Sequence, residues 1–144
     1  MIHYPLKYEV HAKAGPGIRN CWQSQSDVLP LITCSIPTEF GGPGGGYTPE
    51  DFFALSLLNC QIALFKGACE KRNLTYKEIE ARAVAYLDKD RSTHQLYISG
   101  MEISFTITGA SDVDCVKSSL ESAIKECPIS NSIKSGKTYH IKVS

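Results

Sequence analysis

Thr48-Pro49-Glu50-Asp51-Phe52-Phe53-Ala54-Leu55-Ser56-Leu57-Leu58-Asn59-Cys60-Gln61-Ile62-Ala63-Leu64-Phe65 begins with the signals of a helix N-terminus. Thr48 can cap the chain, Pro49 suits the first helical position, and Asp51, three residues after Thr48, completes a capping-box pattern. The helix should run to about Arg72, where Asn73 can end it. Phe52, Phe53, Leu55, Leu57, Leu58, Ile62, Leu64 and Phe65 surround its axis instead of marking one stripe. A helix apolar all round is buried on all sides. In so short a chain that is hard to arrange unless a second chain covers part of it.

Upstream, residues 4–13 and 18–36 alternate polar with apolar or β-branched side chains, among them Tyr8, Val10, Val28, Leu29, Leu31 and Ile32. Gly15-Pro16-Gly17 and the run Ser24 to Asp27 break them, which gives a three-stranded antiparallel meander. Gly41-Gly42-Pro43-Gly44-Gly45-Gly46 ends it. This loop lacks the G-K-[ST] tail of a phosphate loop and fits no G-x-G-x-x-G register, so it reads as a flexible connector. Downstream, residues 77–88 and 94–108 read as a long hairpin turning at Asp88 to Thr93. Ser111 caps a second helix with Asp114 three residues on, and Val116, Leu120, Ala123 and Ile124 recur at helical spacing. That helix should stop at Cys127, because a residue before proline avoids the helical region. A short turn, Ile129 to Lys134, and a last strand, Tyr139 to Val143, complete a single α+β domain over residues 1–144.

The chain has 144 residues, 42% of them hydrophobic, enough for a core that buries about 70% of the surface of the unfolded chain. Fifteen basic and fifteen acidic side chains cancel, leaving no global field to attract nucleic acid or an anionic membrane. The start, Met1-Ile2-His3-Tyr4-Pro5-Leu6-Lys7, lacks the pattern of a secretory signal. The apolar stretch Phe52 to Leu58 reads as too short to span a bilayer. The expected location is the cytoplasm, where the sequon Asn73-Leu74-Thr75 is idle. Six cysteines (Cys21, Cys34, Cys60, Cys69, Cys115, Cys127) show no C-x-x-C spacing, and the four histidines do not cluster with them, so no metal site is expected. A disulfide framework fits a reducing compartment poorly. Two readings remain: buried cysteines acting as small hydrophobes, or a reactive pair.

Two places are odd on packing grounds. Asn59-Cys60-Gln61 puts a polar-flanked thiol in the middle of the most apolar helix, and Cys127-Pro128 puts a thiol at a helix break. Arg19, beside the Gly15-Pro16-Gly17 turn, is the sole arginine before the long helix. Singly, each cysteine reads as core filler, Arg19 as a solvated loop residue, and Glu50 as a charge favoured by the helix N-terminus. Together they resemble the OsmC/Ohr family. Gly41 to Cys60 is similar to the glycine-rich loop and "N-P-E-x-L…C" helix of that family, with Thr48 in place of the usual Asn and Asn59 in place of a small residue. Cys127-Pro128-Ile129-Ser130-Asn131 is similar to its "C-P-x-S-N/K" motif.

The resemblance implies an OsmC-like fold, antiparallel sheets packed around a long buried central helix in an intertwined homodimer. It implies a thiol peroxidase that reduces organic hydroperoxides, with Cys60 as the peroxidatic thiol and Cys127 as the resolving one. Glu50 matches the family's helix-start glutamate, and Arg19 is the candidate for the arginine that pairs with it. Phe52, Phe53 and Ile129 would line an apolar substrate pocket. No cofactor is implied, only an external dithiol reductant, typically a lipoylated protein. The attacking species is a thiolate, and Cys60 lies three turns into its helix, beyond the N-terminal dipole. It therefore needs a cation, which Arg19 would supply with Glu50 holding the guanidinium. On one straight helix Glu50 and Cys60 are separated by about 15 Å of rise and about 80° of rotation. Two copies packed antiparallel near Leu55 would bring Glu50 of one chain to Cys60 of the other. A rival reading keeps the fold and makes it a non-catalytic ligand-binding or redox-sensing dimer.

Overall fold

The computed structural model describes all residues, Met1–Ser144, and they form two compact units, Met1–Phe52 and Phe53–Ser144. In the first unit, β1 (Val10–Lys13), β2 (Trp22–Ser26) and β3 (Ile32–Cys34) make the expected antiparallel meander in the order β1-β2-β3. The strands are shorter than the alternation suggested. Ser24 and Ser26 belong to β2, so the break follows them instead of starting there. The reversal is made by Asp27, at φ +49°, and by Leu29, whose N–H donates to Ser26 O at 3.0 Å.

The glycine-rich loop is an ordered corner, not a flexible connector. Ser35 N–H donates to Tyr47 O at 2.9 Å, and Tyr47 N–H donates to Thr33 O at 2.9 Å. The chain after the glycines is thereby pinned to the end of β3. Backbone passes so close to backbone that side chains do not fit: a Cβ on Gly42 would lie 1.7 Å from Ile36 O, and one on Gly46 would lie 2.8 Å from the carbonyl carbon of Cys34.

Helix α1 (Pro49–Lys71) starts and stops where local chemistry dictates. Asp51 N–H donates to Thr48 Oγ1 at 3.2 Å, and Thr48 N–H donates to Asp51 Oδ2 at 2.9 Å, a reciprocal capping box. At the other end Asn73 takes the left-handed conformation at φ +52°, and Leu74 N–H closes on Cys69 O at 2.9 Å. Counted over the whole helix, length and hydropathy suffice to cross a membrane, so the argument from Phe52 to Leu58 alone undercounted it. Within this chain, however, one side of α1 is buried against protein. Leu57, Leu58, Gln61, Phe65 and Cys69 form that face, whereas Leu55 is 37% exposed. The expectation of burial on all sides is not met by one chain.

The second unit receives that face. Strands β4 (Glu78–Lys89) and β5 (Leu96–Thr108) form the expected hairpin, with a bulge between Tyr86 and Leu87. Alternation along β5 turns Met101, Ile103, Phe105 and Ile107 into the core, where they meet Leu57 and Phe65 of α1. Helix α2 (Val113–Glu126) adds Val116, Leu120 and Ala123. Its cap is Asp112, whose carboxylate accepts from Cys115 N–H at 2.9 Å. Ser111 instead accepts from Thr75 N–H at 3.0 Å, which removes it from the capping role that its spacing suggested. The expected turn after Cys127 is a single helical turn, α3 (Pro128–Asn131). The last strand, β6 (Gly136–Val143), starts earlier than Tyr139 and pairs parallel to β5. The second sheet, ordered β4-β5-β6, is therefore mixed and not antiparallel throughout.

Gly42→Ala should destabilise the fold by about 2–3 kcal/mol, because the added methyl meets backbone that cannot yield. Gly45→Ala, where nothing lies within 4 Å of the added Cβ, should cost only the strain of its φ of +78°, about 1 kcal/mol. Urea unfolding of the two variants checks the difference.

Candidate redox site

Cys60 and Cys127 reach one another from separate elements of the second unit. Cys60 sits half-buried on α1, with its side chain packed against the core cluster. Cys127 lies between α2 and α3 and is completely buried. Pro128 as first residue of α3 keeps Cys127 out of the helical region, at φ −67° and ψ 113°. The chain bends there, and Cys127 Sγ accepts from Ser130 N–H at 3.3 Å. Burial pushes the Cys127 thiol above its ordinary value of 9.0, and the neighbouring Cys60 thiol pushes it further, against the pull of the Ser130 and Ile129 N–H groups. Two thiols in contact, one half-exposed and one held neutral, can undertake dithiol–disulfide chemistry. Both are free thiols here, as are the other four cysteines.

The remaining candidates are less gathered. Phe53 and Ile129 are half-buried and pack against the cluster that contains Cys127. Phe52 packs against Tyr47, the rings tilted by 31° with centroids 5.6 Å apart. Glu50 is half-buried at the start of α1, and its Oε2 has no hydrogen-bond partner. Arg19 is exposed in the loop between β1 and β2 and makes no salt bridge; the contact of that kind in this chain is between His140 Nε2 and Glu102 Oε1, at 3.0 Å. A single chain thus leaves Glu50 and Arg19 unpaired.

Residues 42–142 match the family described as OsmC-like protein. The chain belongs to that family. An uncharacterized protein of Acinetobacter baylyi is 28% identical over 129 residues, covering 88% of this chain and 86% of its own. An OsmC-like protein of unknown function from Vibrio cholerae superposes with a TM-score of 0.81 at 15% identity, over 95% of this chain and 99% of that one. The organic hydroperoxide resistance protein OsmC of Legionella pneumophila gives 0.73 at 22% identity, over 99% of both chains. At such identities the two structures speak for the fold: α+β, with the helix and sheet arrangement of OsmC-like proteins.

The structure of this OsmC-like chain also holds a polar residue that the motif reading passed over. Gln61, next to Cys60, is 0% exposed, and its Nε2 donates to the hydroxyl of Tyr139 on β6 at 2.6 Å. Its Oε1 is buried without a partner. An unpaired buried amide group costs about 1–3 kcal/mol. The signal was present in the sequence: Gln61 falls four residues from both Leu57 and Phe65, on the stripe that faces the core.

Cys69 is a second buried thiol raised above 9.0, by burial first, with Arg72 and the nearby Ser119 hydroxyl opposing. For both Cys69 and Cys127 the folded state favours the neutral thiol. Stability from this source is complete below the ordinary thiol range and is lost as pH rises through the raised folded values. Unfolding free energy should therefore decline above about pH 9. Cys69→Ala/Cys127→Ala, less stable throughout, should decline less steeply in urea titrations between pH 7 and pH 11.

Proposed function

We propose that this OsmC-like protein is a cytoplasmic thiol peroxidase that reduces organic hydroperoxides to alcohols. The observation that carries the reading is the contact between Cys60 and Cys127, an accessible thiol backed by a buried one. The Cys60 thiolate attacks a peroxide oxygen, so that an S–O bond forms, the O–O bond breaks and the alkoxide leaves as alcohol after taking a proton. Cys60 is then a sulfenic acid. Cys127 attacks its sulfur, the disulfide forms and water departs, which forestalls overoxidation. An external dithiol, of the kind carried by a lipoylated protein, restores both thiols by exchange. No metal or bound cofactor enters this cycle.

Glu50 and Arg19 complete the reading. A buried carboxylate oxygen without a partner suits a guanidinium, and Arg19 is a free one; the pair would hold positive charge at the Cys60 thiolate. Because one helix keeps Glu50 about 15 Å of rise from Cys60, the proposal takes Glu50 from a second copy, with two α1 helices antiparallel near Leu55. The exposed apolar residues of the first unit, such as Tyr8 at 89% and Val10 at 73%, fit burial in a homodimer. An apolar pocket of Phe52, Phe53 and Ile129 would favour alkyl or lipid peroxides over hydrogen peroxide.

Peroxide consumption with tert-butyl and cumene hydroperoxides, against hydrogen peroxide and with a dithiol reductant, tests the activity. Wild type should prefer the organic substrates, Cys60→Ser should fall to background, and Cys127→Ser should react once and stall. Retained turnover in Cys60→Ser overturns the mechanism, and an inert wild type favours a sensing or ligand-binding role. Mixing Glu50→Ala with Cys60→Ser subunits should restore activity, because one site of each heterodimer receives both intact residues. No recovery from mixed, exchanged subunits overturns the shared site.

A further inference from the structure

We infer that Gln61 and Tyr139 form a positioning pair that sets how closely Cys60 approaches Cys127, an inference that rests on the thiol-peroxidase reading. Cys60 and Gln61 are consecutive on α1 and so stand about 100° apart around its axis. Fixing the direction of one fixes the other. Gln61 points into the core and is tied to Tyr139 of β6 by the 2.6 Å hydrogen bond, across 78 residues of chain. Tyr139 is itself seated by Phe105 of β5, the rings nearly parallel at 7° with centroids 6.5 Å apart. Helix α2, which ends at Cys127, packs against the same strand β6. Both cysteines are thereby referred to one strand, Cys60 through the glutamine amide and Cys127 through α2.

The chemistry of the pair argues that orientation is what it contributes. Apolar contacts are non-directional, so Leu57 and Phe65 alone permit α1 small rotations and slides along the sheet. A hydrogen bond at this distance has a narrow angular range. A disulfide is equally demanding, since its Cβ atoms must come to about 3.8 Å with a near-perpendicular torsion. An amide meeting a phenol makes one hydrogen bond, and one end of the amide remains unpaired whichever way it is turned. With Nε2 on the hydroxyl it is Oε1 that lacks a partner. A methionine of similar length would fill the place without an orphaned polar group. The glutamine is thus a costlier filler than packing requires, and the direction it gives to α1 accounts for it.

Tyr139→Phe keeps the ring and its stack on Phe105, and Gln61→Met keeps the volume, so each removes the bond with little other change. The Cys60–Cys127 bridge is equilibrated against glutathione redox buffers and read by thiol trapping and mass spectrometry. Both variants should shift the equilibrium toward the dithiol by up to about tenfold, the most one neutral hydrogen bond carries. The double variant should shift it no further than the larger single one. Sulfenic acid formation at Cys60, trapped in a Cys127→Ser background, should keep its rate within about twofold, because attack on peroxide does not use the approach to Cys127. An unchanged bridge equilibrium in both variants, additive shifts in the double variant, or equal slowing of sulfenic acid formation overturns the positioning role. A wild type that forms no Cys60–Cys127 bridge in oxidising buffer overturns the peroxidase reading, and the positioning role with it. Tyr139→Phe alone decides the matter should Gln61→Met fail to fold.

Discussion

Packing of one side of α1 against β5 is the interaction on which the rest of the second unit depends. Leu57, Phe65 and Cys69 are fully or almost fully buried, and so are the facing Ile103, Phe105 and Ile107. Each such Leu, Ile or Phe side chain contributes about 1.5–3 kcal/mol of burial free energy. The strand can receive a helix only because its side chains alternate, and the opposite side of the sheet is accordingly polar. There Glu102 accepts a hydrogen bond from the Tyr86 hydroxyl and pairs with His140, both at 3.0 Å, on solvent-exposed side chains. The sheet has one dry face and one wet face. Cys60 sits at the rim of the dry one because α1 lies there.

How much of this could be read from residues alone follows from the range of the interactions involved. The ends of α1 were legible because Thr48, Asp51 and Asn73 act on backbone within one turn of themselves. The bend at Cys127 was legible because Pro128 acts on its immediate neighbour. The cap of α2 was not. Ser111 and Asp112 are both capping residues, and the hydrogen bond from Thr75, 36 residues away, decides between them. Nor was the direction of β6, since the alternation of Lys137, Tyr139, Ile141 and Val143 is the same in either sense. Gly42 and Gly46 misled for another reason: glycine serves flexibility and close backbone approach alike, and only the neighbouring Ile36 and Cys34 tell them apart. In the site, the cysteines were marked by motif, whereas Gln61 was one polar residue in an apolar helix until Tyr139 was placed beside it. Arg19 and Glu50 stay unpaired within one chain.

The two thiols differ in surroundings in a manner that suits the division of labour proposed for them. Cys127 is buried and held neutral, and neutral thiols resist oxidation. Cys60 is half-buried, open enough for the peroxide attack proposed for it. Cys34 and Cys69, at 1% and 2% exposure, are as buried as Cys127, but no second cysteine bonds Cys34 or acts on the Cys69 thiol. Shielding without a neighbouring thiol gives an inert residue. Shielding beside an accessible thiol gives one that, in the proposed cycle, acts only after its neighbour has been oxidised.

The parallel pairing of β6 with β5 bears on how the molecule comes to be assembled. A parallel pair needs a crossover, here the stretch through α2 and α3, so this edge of the sheet closes over a long loop. The hairpin of β4 and β5 is local and can form while that loop is still open. Cys127 lies on the crossover and Cys60 on α1, so their meeting is a non-local contact, slower to form than the hairpin. A nascent or partly unfolded chain carries both sulfurs without the encounter between them. Under the proposed function, redox competence would in this sense report that the crossover has closed.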